Sequence, residues 1–204
     1  MSVQISNLDP ALDVLCTLAA FEDAEFVLLF DSAARHRERD ARYTILTADP
    51  VAVTRLDKVL PGDDPFSVLR TWQWRLPPLS DEERASLPPF CGGIAGLLSY
   101  ELGQAFEKIP SPAIDDFKTP ALLAGLFDWA IVWDHIAGTV RRYVLQLEDS
   151  QSPQPTTTLR DRVAWIDERL QRDMESNPKS ASTPFSQLQP IASTVRHRIE
   201  PTSE

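Results

Sequence analysis

Four of the seven glycines in this chain fall between Gly92 and Gly103, within the run Pro89-Phe-Cys-Gly-Gly-Ile-Ala-Gly-Leu-Leu-Ser-Tyr-Glu-Leu-Gly103. Glycine inside an apolar, strand-like stretch withdraws the side chain where another backbone, an aromatic face or a ligand must come close. The spacing of Gly92, Gly93 and Gly96 does not match the loops that cradle phosphates. The run therefore reads as a buried strand over 92–100, packed unusually close to a neighbour.

Around that run the composition is that of an ordinary globular protein, 43% hydrophobic and 25% charged, with one core of about 150 residues. No apolar stretch is long enough to cross a bilayer. The first residues lack the basic and apolar segments of an export signal, so a cytoplasmic location is expected and a membrane partner is not. A formal charge of −10 opposes unassisted binding to phosphate backbones, which depends on Lys and Arg displacing counterions. Nucleic acid is therefore not an expected partner. Cys16 and Cys91 stand far apart without CxxC spacing or a nearby His cluster, and read as buried structural thiols.

Along the chain, Asp9-Pro10 predicts a capped helix running to about Glu22, with Leu12, Leu15, Cys16 and Ala19 as its apolar stripe. Strands are expected over 26–30, 43–48 and 51–56, forming a small antiparallel meander with a loop over 33–40 and a bend at Asp49-Pro50. Asp64 and Pro65 predict a helix over 66–74 with Phe66, Leu69 and the tryptophans facing inward. The Pro-rich stretch 76–89 reads as a surface loop, broken by a capping box that begins at Ser80. Residues 122–133 read as one strand, joined by a hairpin at 135–138 to another over 139–147; with 92–100 these strands centre the sheet. A helix is expected from near Thr157, with Leu159, Val163, Ile166, Leu170 and Met174 on one face and Asn177-Pro178 ending it. The expected domains are 1–150, a helix and connector over 151–178, and a disordered polar tail over 179–204. The fold class is α+β.

The candidate chemistry is sparse. His36, His135 and His197 are dispersed and suggest neither a catalytic pair nor a metal centre. Glu101 and Asp128 lie beside aromatics in apolar strands, where an unpaired carboxylate is costly, and each is expected in a structural ion pair. Asp31-Ser32 ends a buried strand before a long loop, a place where polar groups can meet a ligand's ammonium while apolar walls hold the rest.

The run from Pro89 to Gly103 resembles the Phe-x-Gly-Gly-x-x-Gly…Tyr-Asp-Leu-Gly stretch of component I of aminodeoxychorismate synthase and of its relative, anthranilate synthase. Phe106-Glu107 with Ile109-Pro110, and Gly125-Leu126-Phe127-Asp128-Trp129-Ala130-Ile131-Val132-Trp133-Asp134-His135, are similar to further segments of that family in the same order. Leu28 to Ser32, and Arg42 to Leu46 with Ala48-Asp49-Pro50, resemble its first strand pair. Cys91 and Gln104 depart from it, standing where a polar residue and an Arg are common. The match covers roughly 26–143 and leans towards the aminodeoxychorismate branch.

The resemblance implies an antiparallel sheet sandwich with flanking helices, like the N-terminal part of the anthranilate synthase component I fold. It implies a longer chorismate-binding catalytic portion that carries the magnesium ligands and is missing from this sequence, so no catalytic residue and no cofactor is carried over to it. The chain alone is then expected to be inactive. It would serve p-aminobenzoate and folate synthesis only with that portion as a separate domain or chain, and with a glutamine amidotransferase subunit as a further partner. The resemblance also implies a tryptophan-type pocket at Asp31, Ser32, Arg42 and Tyr43, although Asp31 replaces the Glu usual in the anthranilate branch. Two readings therefore stand beside each other: the non-catalytic part of a synthase of either branch, and a stand-alone module that binds an aromatic amino acid.

Overall fold

The computed structural model describes residues 3–32, 41–110, 117–148 and 158–176. Eight strands form two antiparallel sheets: β1 (Val3–Leu8), β2 (Leu28–Asp31), β3 (Tyr43–Thr47), β4 (Ala52–Leu56), β5 (Gly93–Leu98), β6 (Leu122–Phe127), β7 (Trp129–Asp134) and β8 (Thr139–Leu145). The larger sheet runs β1-β8-β7-β3-β2 and the smaller β4-β6-β5. Helices α1 (Val14–Ala19), α2 (Ser67–Gln73), α3 (Asp81–Ser86) and α4 (Leu159–Ser176), with a 3-10 helix at Tyr100–Ala105, complete an α+β architecture.

The expected meander does not form. Strands β2 and β3 pair as read, Asp31 opposite Thr44, but β4 leaves for the smaller sheet. The exit is Asp49, whose φ of 51° turns the backbone so that the Val51 N–H donates to the Leu126 carbonyl at 2.8 Å. The run 122–133 likewise divides at Asp128, β6 staying in the smaller sheet and β7 entering the larger. Apolar patterning reports which residues are buried, not which sheet they join: the bend read at Asp49-Pro50 is present, but that it passes the chain to a second sheet, and that Asp128 does the same, is not written in the pattern.

The close packing read from the glycines is present. Gly96 pairs with Ala124, and a Cβ there would stand 2.6 Å from the Ala124 Cα and nearer still to the Leu123 carbonyl oxygen. Gly92 has φ of +125°, and a Cβ would come within 2.6 Å of Leu145 Cδ1. The strand itself is not buried as expected. β5 is an edge strand, with Leu97 46% and Leu98 55% exposed.

The start of α1 is shifted from the one expected. Asp13, not Asp9, caps α1, its Oδ1 accepting from the Leu15 and Cys16 N–H groups at 2.9 Å. Asp9 instead closes the preceding turn through the Ala11 N–H. In α2 Trp72 is buried, but Trp74 is 84% exposed, against the inward placement expected. The Ser80–Glu83 capping box forms as read. Strand β1, for which no strand was expected, pairs along its length with β8.

Three apolar clusters hold the fold. Phe21, Leu46, Trp129, Ile131, Trp133, Val144 and Ile166 lie between the larger sheet and helices α1 and α4. On the other face, Val3, Ile45, Cys91, Val132, Tyr143 and Leu145 are covered by Leu79, Leu87 and Phe90. The stretch read as a surface loop thus roofs a core. The third cluster joins Val59, Trp72, Leu102, Ala105, Leu122, Ala124 and Leu126 under the smaller sheet.

Helix α4 supplies Ile166 to the first cluster, with Leu159, Val163 and Leu170 packed around it. A reciprocal cap begins it, Thr158 Oγ1 accepting from the Asp161 N–H at 3.2 Å. The side chain of Met174, residues 33–40 and the tail beyond 176 lie outside what is described.

Candidate functional site

The larger sheet brings the end of β2, the start of β3 and the end of β7 to one corner but splits the residues read as a ligand pocket: Asp31 lies opposite Thr44 on the face of the first cluster, whereas Tyr43 lies opposite Asp134 and packs on the other face. Thr44 is buried and its hydroxyl donates to Asp31 Oδ1 at 2.7 Å. With that single proton committed, the contact of 2.8 Å between Thr44 Oγ1 and His135 Nε2 requires the imidazole to donate, which fixes Nε2–H. Ser32 follows Asp31 and is exposed.

Arg42 and Tyr43 sit across the corner. Arg42 donates from Nη2 to Asp134 Oδ2 at 2.8 Å and from Nε to Oδ1 at 3.1 Å, a forked geometry suited to a carboxylate. Its guanidinium lies 4.7 Å above the Tyr43 ring. Asp134 Oδ1 also accepts from the Ile136 and Ala137 N–H groups. Arg42 is therefore engaged by this chain's own carboxylate. Asp31 Oδ2 takes no hydrogen bond among the described residues and can accept one from a ligand's N–H or O–H group, an ammonium included.

Sequence reading missed Thr44, Asp134 and His135. Thr44 and His135 meet across 91 positions, a separation to which periodicity is blind.

The hydrogen bond from Arg42 holds the Asp134 carboxyl below the ordinary aspartate value. A carboxylate depressed in the folded state stabilises it above its unfolded pKa, and that contribution fades as pH falls through the folded value. Asp134→Asn is accordingly expected to lower stability at neutral pH, where the Arg42–Asp134 contribution is fully present, and to flatten the acid limb of the stability–pH curve, the two proteins converging at low pH. Denaturant midpoints across the acid range check this, and an unchanged limb contradicts it.

Of the two carboxylates expected in structural ion pairs, Asp128 is in one. Arg162 donates from Nε to Asp128 Oδ2 at 3.0 Å, both side chains buried. Burial pushes the Asp128 carboxyl up, and Arg162 opposes the shift. Glu101 makes no ion pair among the described residues.

Cys91 is buried as read, and burial lifts its thiol to about 11; Cys16 is only half-buried. Among the described residues no three His, Cys, Asp or Glu side chains are grouped so as to hold a metal ion. No helix among those residues is long and apolar enough to cross a membrane.

The smaller sheet presents a different kind of surface. Leu97 and Val53 lie on the face away from α2, in register with Leu123 and Gly125, and both are exposed. Beyond β5 the chain adds Tyr100 at 78% and Phe106 at 65% exposure. Along β5, Gly-Ile-Ala-Gly-Leu-Leu carries neither charge nor proline, although edge strands of free-standing sheets are usually guarded by one or the other.

No protein-family model matches the chain. Curated proteins do. It is 37% identical over 107 residues to aminodeoxychorismate synthase component 1 of Salmonella typhimurium, covering 46% of this chain and 23% of that protein. Against the same component of Escherichia coli the identity is 33% over 113 residues, 49% of this chain and 24% of the relative. Anthranilate synthase component 1 of Mycobacterium tuberculosis is 26% identical over 144 residues, 70% of this chain and 27% of the relative. These relatives carry the two names to which the motifs pointed, and the chain spans about a quarter of the length of each.

Proposed function

We propose that this chain is a non-catalytic N-terminal part of a protein like aminodeoxychorismate synthase component 1. In this reading it serves conversion of chorismate to 4-amino-4-deoxychorismate, and hence p-aminobenzoate and folate synthesis, through a chorismate-binding portion outside the described residues. The observation that carries the reading is the apolar flank of the smaller sheet: an unguarded edge strand with Leu97 and Leu98 bare, continued by Tyr100 and Phe106. Leu97 and Leu98 point to opposite faces of this edge strand, and large apolar side chains left bare along an edge mark a place that another domain or chain covers. Coverage of only about a quarter of each relative agrees with a body completed by something else. Magnesium and the groups that deliver ammonia would belong to that other portion, as would the docking of an amidotransferase subunit.

Tagged protein recovered from its own cells should carry a chorismate-binding polypeptide, joined or associated, and turn over chorismate with ammonia. Leu97→Glu should leave the chain folded and reduce that turnover by about tenfold or more, because it sets a charge in a desolvated contact. A tagged chain that purifies alone, with Leu97→Glu indistinguishable from it, contradicts the reading.

A second reading, a module that binds tryptophan, draws on the family resemblance and on the placement of Asp31, Ser32, Arg42 and Tyr43 at one end of the larger sheet. There a ligand would have to reach round the sheet end to meet both Asp31 and Tyr43, and Arg42 would have to leave Asp134 to take its carboxylate. Calorimetric titration with tryptophan decides it: heat in the intact chain that is lost in Ser32→Ala supports the module, and no heat from the intact chain removes it.

A further inference from the structure

The chain passes between the two sheets at Asp49, from β3 to β4, and at Asp128, from β6 to β7. One side chain touches both places. Arg162, on the first turns of α4 and only 5% exposed, donates from Nε to Asp128 Oδ2 at 3.0 Å. It also donates from Nη1 to Asp49 Oδ2 at 2.6 Å and from Nη2 to the Asp49 carbonyl at 3.2 Å. The guanidinium lies 5.0 Å from the centre of the Trp165 ring, and Arg169 lies 4.5 Å from the same ring, so both cations pack on an aromatic of their own helix. Farther along α4, Arg169 pairs with Asp23 and Asp167 with Arg142 of β8, which anchors the helix independently of Arg162.

We infer that Arg162 is a latch which couples the docking of α4 to the mutual position of the two sheets. It is a positioning residue. The hydrophobic contacts of Ile166 hold the helix to the larger sheet, and the Arg162 fork carries that docking to the two crossings on which the smaller sheet hangs, beside the Trp129–Ala48 and Thr47–Trp129 hydrogen bonds. Releasing it frees the smaller sheet, which bears the exposed flank, to shift against the larger. The inference stands on these contacts whether or not the proposed function is correct.

Hydrogen exchange read by mass spectrometry on the full chain tests it. Arg162→Met keeps the length and apolar volume of the side chain and removes the fork. It is expected to speed exchange at both crossings and in β4 and β6 on the order of tenfold or more, because buried acceptors lose their partner and local opening becomes easier. Because Arg162→Met can fail to fold by leaving Asp128 unpaired, Asp49→Asn provides the second arm. Asn tolerates the left-handed φ at this position, so that variant isolates the loss of charge, and faster exchange is expected at the β3–β4 crossing and not at the far end of α4. Exchange that rises in α4 alone, or crossings that stay protected in either variant, overturns the latch.

Discussion

Gly96→Ala is expected to destabilise the fold by about 3 kcal/mol or more, the upper part of the range for overpacking. The new methyl group would stand 2.6 Å from the Ala124 Cα and still closer to the Leu123 carbonyl oxygen. Both are backbone atoms of the central strand of the smaller sheet, so no side-chain rotation relieves the clash; β5 must move away or lose register. Against a typical total stability of about 5–15 kcal/mol, the smaller sheet would open first. Gly138→Asn is the matched control: its φ of +62° suits Asn, and nothing lies within 4 Å of the new Cβ. Denaturant unfolding of the two variants should separate them clearly, and a Gly96→Ala protein as stable as the control would refute the close approach of β5 to β6.

Trp129→Ala should cost about 3–5 kcal/mol, the usual price of emptying a large aromatic site in a core. Trp129 is fully buried, with ring centres 5.0 Å from Phe21 and 5.8 Å from Trp165, so it joins the α1–β2 segment, the larger sheet and α4. Its Nε1–H donates to the Ala48 carbonyl at 2.8 Å, one residue before the first sheet crossing. Trp129→Phe therefore separates two contributions. It keeps much of the packing but leaves a buried carbonyl without its donor, at about 1–3 kcal/mol. Thermal or denaturant unfolding of both variants checks the order, Ala below Phe below the parent. Equal loss in the two would mean that the hydrogen bond, not the packing, dominates.

How far the sequence could be read depended on whether the information was local. The Ser80 capping box, the 135–138 hairpin and the α4 stripe from Leu159 to Leu170 are set by residues within a few positions of one another, and each is where the pattern put it. The crossings at Asp49 and Asp128 are not local. The Asp49-Pro50 bend was legible and Asp128 lay inside one apolar run, but in both cases only contacts with distant strands decide which sheet receives the chain. The edge position of β5 was hidden for the same reason, since Leu97 and Leu98 look equally apolar whether a neighbour covers them or not. At the corner of the larger sheet, Asp31 and Ser32 were legible as a strand end before a loop. Arg42 and Tyr43 came from the family resemblance, while Thr44, Asp134 and His135 became visible only when β3 and β7 paired. Arg162 was missed because a cation on the buried side of an amphipathic helix looks like a solvated one until Asp49 and Asp128 are seen beneath it.

The central claim is that the flank formed by β5 and the 3-10 helix is covered in the working protein. Hydroxyl-radical footprinting measures this directly, by comparing the isolated chain with the assembly recovered from cells. The account predicts that Leu97, Leu98, Tyr100 and Phe106 react readily in the isolated chain and are strongly protected in the assembly, while Ile5 on the larger sheet reacts alike in both. Equal reactivity of those four residues in the two samples would contradict it.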